Sequence, residues 1–250
     1  AWVLLLLAVG AGASTPALAQ QAADPDPGWS IGGAVISAPR PYVGADAEVI
    51  PIPLVQYESP RLYVQGIVVG YRLIPGERFA VDLHAQPRFD GFENDDSPFL
   101  AGMEEPDPSI DLGLGLDADL GALELGLSLD ADVLGRSEGY RAEATVGRTY
   151  VYRRGRVIFG PEIGLSWQSE DVIDYYYGVS EAEARPGRPA YLGNAGTSLD
   201  VGAFLQVRLN PRWSLVSFVE WTSLPDEVGD SPIVEDDSTM FGLVGLLYRM

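Results

Sequence analysis

The sequence contains no cysteine, no lysine and a single histidine, His84. Without cysteine there are no disulfides and no thiolate chemistry, so a secreted chain of this size must be held by its own packing. Without lysine there is no P-loop lysine, no Ser–Lys dyad and no Schiff base. All 16 basic residues are arginine. One histidine excludes a multi-histidine zinc cluster. Basic charge is scarce overall, and the net charge of −20 would repel nucleic acid. Beyond Ala19 there is no long apolar run, so no transmembrane helix is expected in the rest of the chain.

The first residues read as a secretory signal. Trp2 to Val9 form an apolar core too short to span a bilayer comfortably, and Ala17-Leu18-Ala19 is an A-x-A cleavage site. The basic n-region is missing, which fits a signal truncated at its front; a buried helix is the alternative, opposed by Gly10, Gly12 and Pro16. The expected organisation is a signal peptide over 1–19 and one domain over 20–250. There is no internal linker, and the 29 glycines and 19 prolines suit many tight turns.

The most informative stretch is Ser109–Val133. Ile110, Leu112, Leu114, Leu116, Ala118 and Leu120 form one row, and Ser109, Asp111, Gly113, Gly115, Asp117 and Asp119 the other. After Gly121 the pattern resumes, with Leu123, Leu125, Leu127, Leu129, Ala131 and Val133 alternating with Glu124, Gly126, Ser128, Asp130 and Asp132. A period of two means β-strand, and two such runs joined at a glycine mean a hairpin. A soluble sandwich would bury the aliphatic row against a second sheet. A membrane barrel would turn it to lipid and the acids to the lumen.

The remainder of the chain favours lipid. Strands are expected near 29–38, 49–58, 62–73 (one long strand or a short hairpin), 78–89, 140–152, 157–168, 199–209, 213–221 and 239–250. Long loops separate some of them at 90–108, 169–190 and 225–238, with short turns between the others, as in outer-membrane barrels. Trp213 and Trp221 share a face eight positions apart, roughly 20 Å of membrane depth on a tilted strand, which suits two interfacial girdles. Arg148 falls on the apolar face of its strand, so a bulge or a position near the interface is expected there. The final strand carries Gly245, Tyr248 and Met250 at the spacing of a barrel-assembly signal, with Met250 where an aromatic is usual. Because bacterial barrels have even strand numbers, the expectation is a single all-β antiparallel transmembrane barrel of 12 strands, with 10 as the alternative.

Several motifs go beyond architecture. Tyr175-Tyr176-Tyr177-Gly178-Val179-Ser180, Gly187-Arg188-Pro189-Ala190-Tyr191 and Ser231-Pro232-Ile233-Val234 resemble the signature of the MipA/OmpV family of MltA-interacting outer-membrane proteins. Leu224-Pro225-Asp226, Pro41 to Asp46, Ile50 to Leu54 and Gly102-Met103-Glu104 fit the same pattern, so the resemblance runs nearly end to end. It implies a non-enzymatic outer-membrane barrel of a Gram-negative cell, with no catalytic site, cofactor or metal. The implied role is a scaffold joining a lytic transglycosylase to a penicillin-binding protein in peptidoglycan assembly; a small channel or adhesin is the alternative. Outer-membrane lipid, lipopolysaccharide and the barrel assembly machinery are the other implied partners. No partner-binding residue transfers.

The candidate site residues are the lumen acids Asp111, Asp117, Asp119, Glu124, Asp130 and Asp132. Crowded like charges need an offset, and Arg141, Arg208 and Arg249 fall on inward faces. The row reads either as an arginine-compensated wall or as a cation path or divalent-cation site. The loop acids (Glu93, Asp95, Asp96, Glu104, Glu105, Asp107, and Asp226 to Asp237) either keep the loops soluble or bridge through divalent ions to lipopolysaccharide phosphate. His84 is out of phase with its apolar neighbours, hence lumenal, and no G-x-S-x-G accompanies it, which argues against a hydrolase. Tyr175, Tyr176 and Tyr177 either pack into the mouth or form a sugar-stacking surface. Ser180 and Glu183 have the spacing of a capped helical turn.

Overall fold

The computed structural model describes residues 27–250. The expected signal segment, its cleavage site and most of the lead-in lie outside them. The described chain forms one antiparallel sheet of thirteen strand segments. These are β1 (Gly28–Ala38), β2 (Glu48–Glu58), β3 (Leu62–Gln65), β4 (Val68–Ile74), β5 (Phe79–Arg88), β6 (Ser109–Asp119), β7 (Glu124–Asp132), β8 (Tyr140–Gly147), β9 (Tyr150–Tyr152), β10 (Val157–Gln168), β11 (Gly196–Arg208), β12 (Trp213–Ser223) and β13 (Ser238–Arg249). Each stave pairs with the next in sequence, and β1 pairs with β13 from Ser30↔Arg249 to Ser37↔Gly242, so the sheet closes.

β8 and β9 are one stave. Both face β10 in a single register, from Glu162↔Gly147 to Phe159↔Tyr150. The ladder is interrupted between them because Pro161 has no N–H to give; its carbonyl still accepts from Arg148 N–H at 3.2 Å. The alternative of a bulge at Arg148 is therefore replaced by a proline break, and Arg148 lies exposed near a short turn with its guanidinium 5.2 Å from the Tyr150 ring centre. The 62–73 region is a hairpin turning at Gly66, whose positive φ of 58° suits glycine. Twelve staves result.

The opening alternation resolves in favour of lipid. Leu112, Leu114 and Leu129 are 49%, 48% and 54% exposed, while Asp111 and Asp130 are 1% and 2% exposed. Among the described residues no second sheet covers the leucines. A closed band of exposed aliphatics on every stave far exceeds what a water-soluble surface tolerates, and hydrocarbon is the solvent that suits it. Aromatics rim the band at both ends. Trp29 lies 4.7 Å from Tyr57 and Trp213 lies 5.1 Å from Tyr248 at the short-turn end. Trp167 and Trp221 lie at the long-loop end, where Trp221 is 38% exposed.

The seam between the first and last strands is tight at Gly32, where an added Cβ would stand 1.8 Å from the Leu246 carbonyl oxygen. A Gly32→Ala substitution is expected to prevent closure. Loss of the fast-migrating, heat-modifiable band in unheated gel samples, with a neighbouring Ser30→Ala control unaffected, is the measurement.

Candidate functional site in the lumen and its mouth

The lumen has two chemically distinct halves. Strands β1, β2 and β10 to β13 contribute apolar clusters, Ile36, Ile50, Phe204, Phe218 and Phe241 in one and Ala34, Leu54, Val216 and Leu247 in another, and also bury Glu162, Asp200 and Glu220, where Asp200 accepts from the Ser166 and Thr222 hydroxyls at 2.8 Å each. Strands β5 to β8 line theirs with charge. His84 is central to that half: Nδ1 donates to Asp82 Oδ1 at 3.0 Å and Nε2 to Asp130 Oδ1 at 2.8 Å, since carboxylates only accept. The Tyr63 hydroxyl donates to Asp82 at 2.7 Å, and the Ser128 hydroxyl to Asp130 at 3.0 Å. The glycines of the acidic row make room for this network. A Cβ at Gly113 would lie 2.2 Å from both Asp130 Oδ1 and His84 Nε2.

Nearer the mouth, Arg88 Nε donates to Asp111 Oδ2 at 2.9 Å, with both residues almost fully buried. Arg141 Nη2 donates to Asp90 Oδ2 at 2.9 Å. Asp132 accepts from the Ser109 hydroxyl and from the backbone N–H groups of Leu134, Gly135 and Ser137, so it shapes the 133–139 loop. Glu124 accepts from the Thr149 hydroxyl at 2.8 Å, and exposed Asp119 from Gly121 N–H at 2.6 Å, both at the short-turn end. Asp117 is half-buried on the same inward row.

Asp111 and Asp130 are thus buried inside the barrel, Asp119 stands exposed at the short-turn end, and the six acids do not share one site. Among the described residues the only carboxylate group at metal-ligand spacing is Glu93, Asp95 and Asp96 in a loop, and Asp96 there is tied to Arg40. Of the three arginines expected to balance the row, only Arg141 is buried in the lumen. Arg208 and Arg249 stand at the short-turn end, because each closes its strand where the wall has already reached the interface. His84 and Arg88 supply the offset instead. Arg88 could have been found from its place on the inward row of Ala80, Asp82, His84 and Gln86, but Pro87 and Phe89 obscure that phase.

The loops close the mouth. The 169–190 loop, expected to be irregular, contains a helix, α1 (Glu170–Tyr177), whose Val172, Ile173 and Tyr176 are buried at helical spacing. A one-turn helix, α2 (Asp226–Gly229), lies in the last loop. Tyr42, Phe92, Leu100, Met103, Ile173, Val179, Val228, Ile233 and Val234 form a plug drawn from four loops. Tyr177 stacks on Tyr42 at 5.6 Å, Tyr176 is 1% exposed, and the Tyr175 hydroxyl accepts from Asp107 N–H. The tyrosine run therefore packs rather than presenting three free rings. Burial, the neighbouring Tyr177 and the Asp90 charge hold the Tyr42 phenol well above its ordinary pKa, and its hydroxyl donates to the Tyr176 carbonyl. The signature residues serve the same plug. Ser231 donates to the Tyr177 carbonyl, Val179 pairs with Tyr191, and Ile233 is fully buried. Gly187 turns with φ of 89°, while Pro189 and Pro232 bracket the buried positions and Gly178 ends α1. Ser180 and Glu183 frame the single expected turn: Ala184 N–H donates to the Ser180 carbonyl at 3.1 Å, and Glu183 accepts from Ser180 N–H at 3.0 Å and from Glu104 N–H of the opposite loop at 2.7 Å. Beneath the plug a cavity of about 70 Å³ remains, lined by Asp90, Arg141, Ser166, Tyr177, Asp200 and Thr222.

Charge is sorted along the barrel axis. The long-loop end is acidic, whereas the short turns carry exposed Arg61, Arg78, Arg148, Arg153, Arg154, Arg156, Arg208 and Arg212. Arg153 and Arg154 adopt φ of 51° and 58°, an uncommon conformation for residues with side chains.

A closed sheet with a lipid-facing aliphatic band, two aromatic girdles and a charged interior defines an outer-membrane β-barrel. Within that class the family is settled by sequence: the family model described as "MltA-interacting protein MipA" matches residues 31–250, and the chain belongs to this family. It is 33% identical over 144 residues to outer membrane protein Omp26La of Vibrio anguillarum, covering 58% of this chain and 55% of that one. It is 31% identical over 154 residues to outer membrane protein OmpV of Vibrio cholerae serotype O1, covering 62% and 58%. With the MltA-interacting protein of Escherichia coli K12 it shares 27% identity over 224 residues, covering 88% and 90%. The match thus spans little more than half the length of the two Vibrio relatives. Among solved structures it is similar to the NanC porin, with a TM-score of 0.43 and 12% identity, covering 89% of this chain and 99% of that one.

Removing the buried cation is expected to expose the conflict it resolves. His84→Ala leaves Asp82 and Asp130 facing each other and should cost about 3–5 kcal/mol, as breaking buried ion pairs does. Adding Asp130→Asn should recover part of the loss, read as urea midpoints in detergent micelles.

Proposed function

We propose that this barrel is a closed, non-enzymatic platform that holds a lytic transglycosylase, and through it a penicillin-binding protein, at the periplasmic face of the outer membrane. The filled lumen carries the reading. Apolar clusters with buried Glu162, Asp200 and Glu220 among them occupy one half, the Asp82–His84–Asp130 and Arg88–Asp111 networks the other, and a nine-residue apolar plug covers the long-loop end. A conducting pore of this strand number would need that space as water. The name of the Escherichia coli relative, an MltA-interacting protein, supports the partner class. Long loops face outward in such barrels, which turns the short-turn end to the periplasm. The exposed arginines of the 153–156 and 208–212 turns then form a cationic rim suited to an acidic surface on the partner. His84 gives both ring nitrogens to carboxylates and none to a hydroxyl, so it has no nucleophile to activate.

Two measurements test this. The purified barrel in planar bilayers should give no current steps, and chemical cross-linking in intact envelopes should attach a murein hydrolase. Charge reversal at Arg153, Arg154 and Arg156 to Glu should reduce that attachment severalfold without altering barrel assembly. Regular current steps, or cross-linking unchanged by the reversal, would count against the platform and its rim respectively.

A further inference from the structure

The cavity beneath the plug has a definite polarity. Register sets Ser166 opposite Ser198 and Asp200 opposite Thr222, and all four line the space from the inward rows of β10, β11 and β12. The Ser166 hydroxyl donates to Asp200 Oδ2 and the Thr222 hydroxyl to Asp200 Oδ1, each at 2.8 Å. A hydroxyl has one proton, so both have only lone pairs left to offer. Asp200, 5% exposed, is acceptor-only itself. Ser198, 8% exposed, has no side-chain hydrogen bond among the described residues, and neither has Gln168 on the same wall. This wall is therefore richer in acceptors than in donors.

Charge points the same way. Asp90 and Asp200 both line the cavity, and the one arginine in its lining, Arg141, gives Nη2 to Asp90 at 2.9 Å. Asp200 is met by two hydroxyls and, among the described residues, by no cation. A buried carboxylate that keeps its charge calls for a positive partner. The lining is completed by Pro39, Pro41, Leu224 and Val228, which offer no donor or acceptor side chain. The water shell of a metal ion would lie unbonded against them. Among the described residues no three carboxylate or histidine ligand atoms stand at metal spacing here. An ammonium group on a short aliphatic body matches both surfaces.

Space limits the size. The cavity of about 70 Å³ holds about five waters, hence a ligand of about that many non-hydrogen atoms. Gln168, Leu224 and Pro225 in the lining are half-buried, so solvent reaches them. We infer that the cavity binds the ammonium group of a small amine or amino acid. Asp200, Ser198 and Gln168 accept its protons, and its aliphatic part lies against Pro39, Pro41 and Val228. Such a site is independent of any partner at the periplasmic face.

The test titrates the barrel in detergent micelles at fixed ionic strength with propylammonium chloride, alanine or calcium chloride. Backbone amide NMR shifts of Ser198, Thr222 and Val228 are followed. Propylammonium is expected to give saturable shifts at these amides, weakened about tenfold in Asp200→Asn, as loss of a charged hydrogen-bond partner does. The heat-modifiable gel band shows whether that variant has folded. Ser198→Ala, which removes an acceptor without changing charge, should weaken binding as well. A tighter response to alanine than to propylammonium would assign the ligand to amino acids, with the carboxylate on Arg141; the reverse would assign it to free amines. Absence of saturable shifts with both ligands would overturn the site. So would shifts unchanged in both variants, or calcium moving the same amides at lower concentration than either ligand. None of these results bears on partner cross-linking.

Discussion

Backbone N–H and C=O groups inside a hydrocarbon layer find partners only within the protein, because hydrocarbon offers none. That requirement forces the sheet to close, and closure is achieved along one seam, β1 against β13. It also explains where glycine and proline are allowed. Gly32 lets the seam strands approach, and Pro161 sits where a missing donor interrupts a ladder without shifting register.

Closure fixes the second property, an enclosed interior that must be filled. Twelve staves enclose more space than small wall residues occupy, and the chain fills it asymmetrically. Phenylalanine and aliphatic side chains pack much of one half, around buried Asp200 and Glu220, while the other is a set of short charge-assisted bonds around His84 and Arg88. Within that second half, His84 stands between Asp82 and Asp130 and Arg88 holds Asp111. The long loops fold inward over the result, and the signature tyrosines are among their packing side chains. The tyrosines of the 175–177 run thus serve to plug the mouth.

The axial sorting of charge follows from the same geometry. Acidic side chains collect on the long loops that cover one end, and exposed arginines on the short turns at the other. A chain of net charge −20 therefore offers a cationic surface on one side only.

The sequence by itself determined the staves, their inward and outward rows, the two girdles and the family, because a period of two along one strand needs no knowledge of distant residues. The lumenal direction of His84 was legible for the same reason. Tertiary structure alone decided which charges meet. Arg88 and Asp111 lie 23 positions apart and His84 and Asp130 lie 46 apart, while Arg208 and Arg249, inward by phase, end at the rim. The helix over 170–177 was hidden because its apolar spacing is short and its remaining residues are polar; packing against the plug stabilises it. Phase along a strand is a local property, whereas partnership across the barrel depends on register and closure, which the whole sheet sets together.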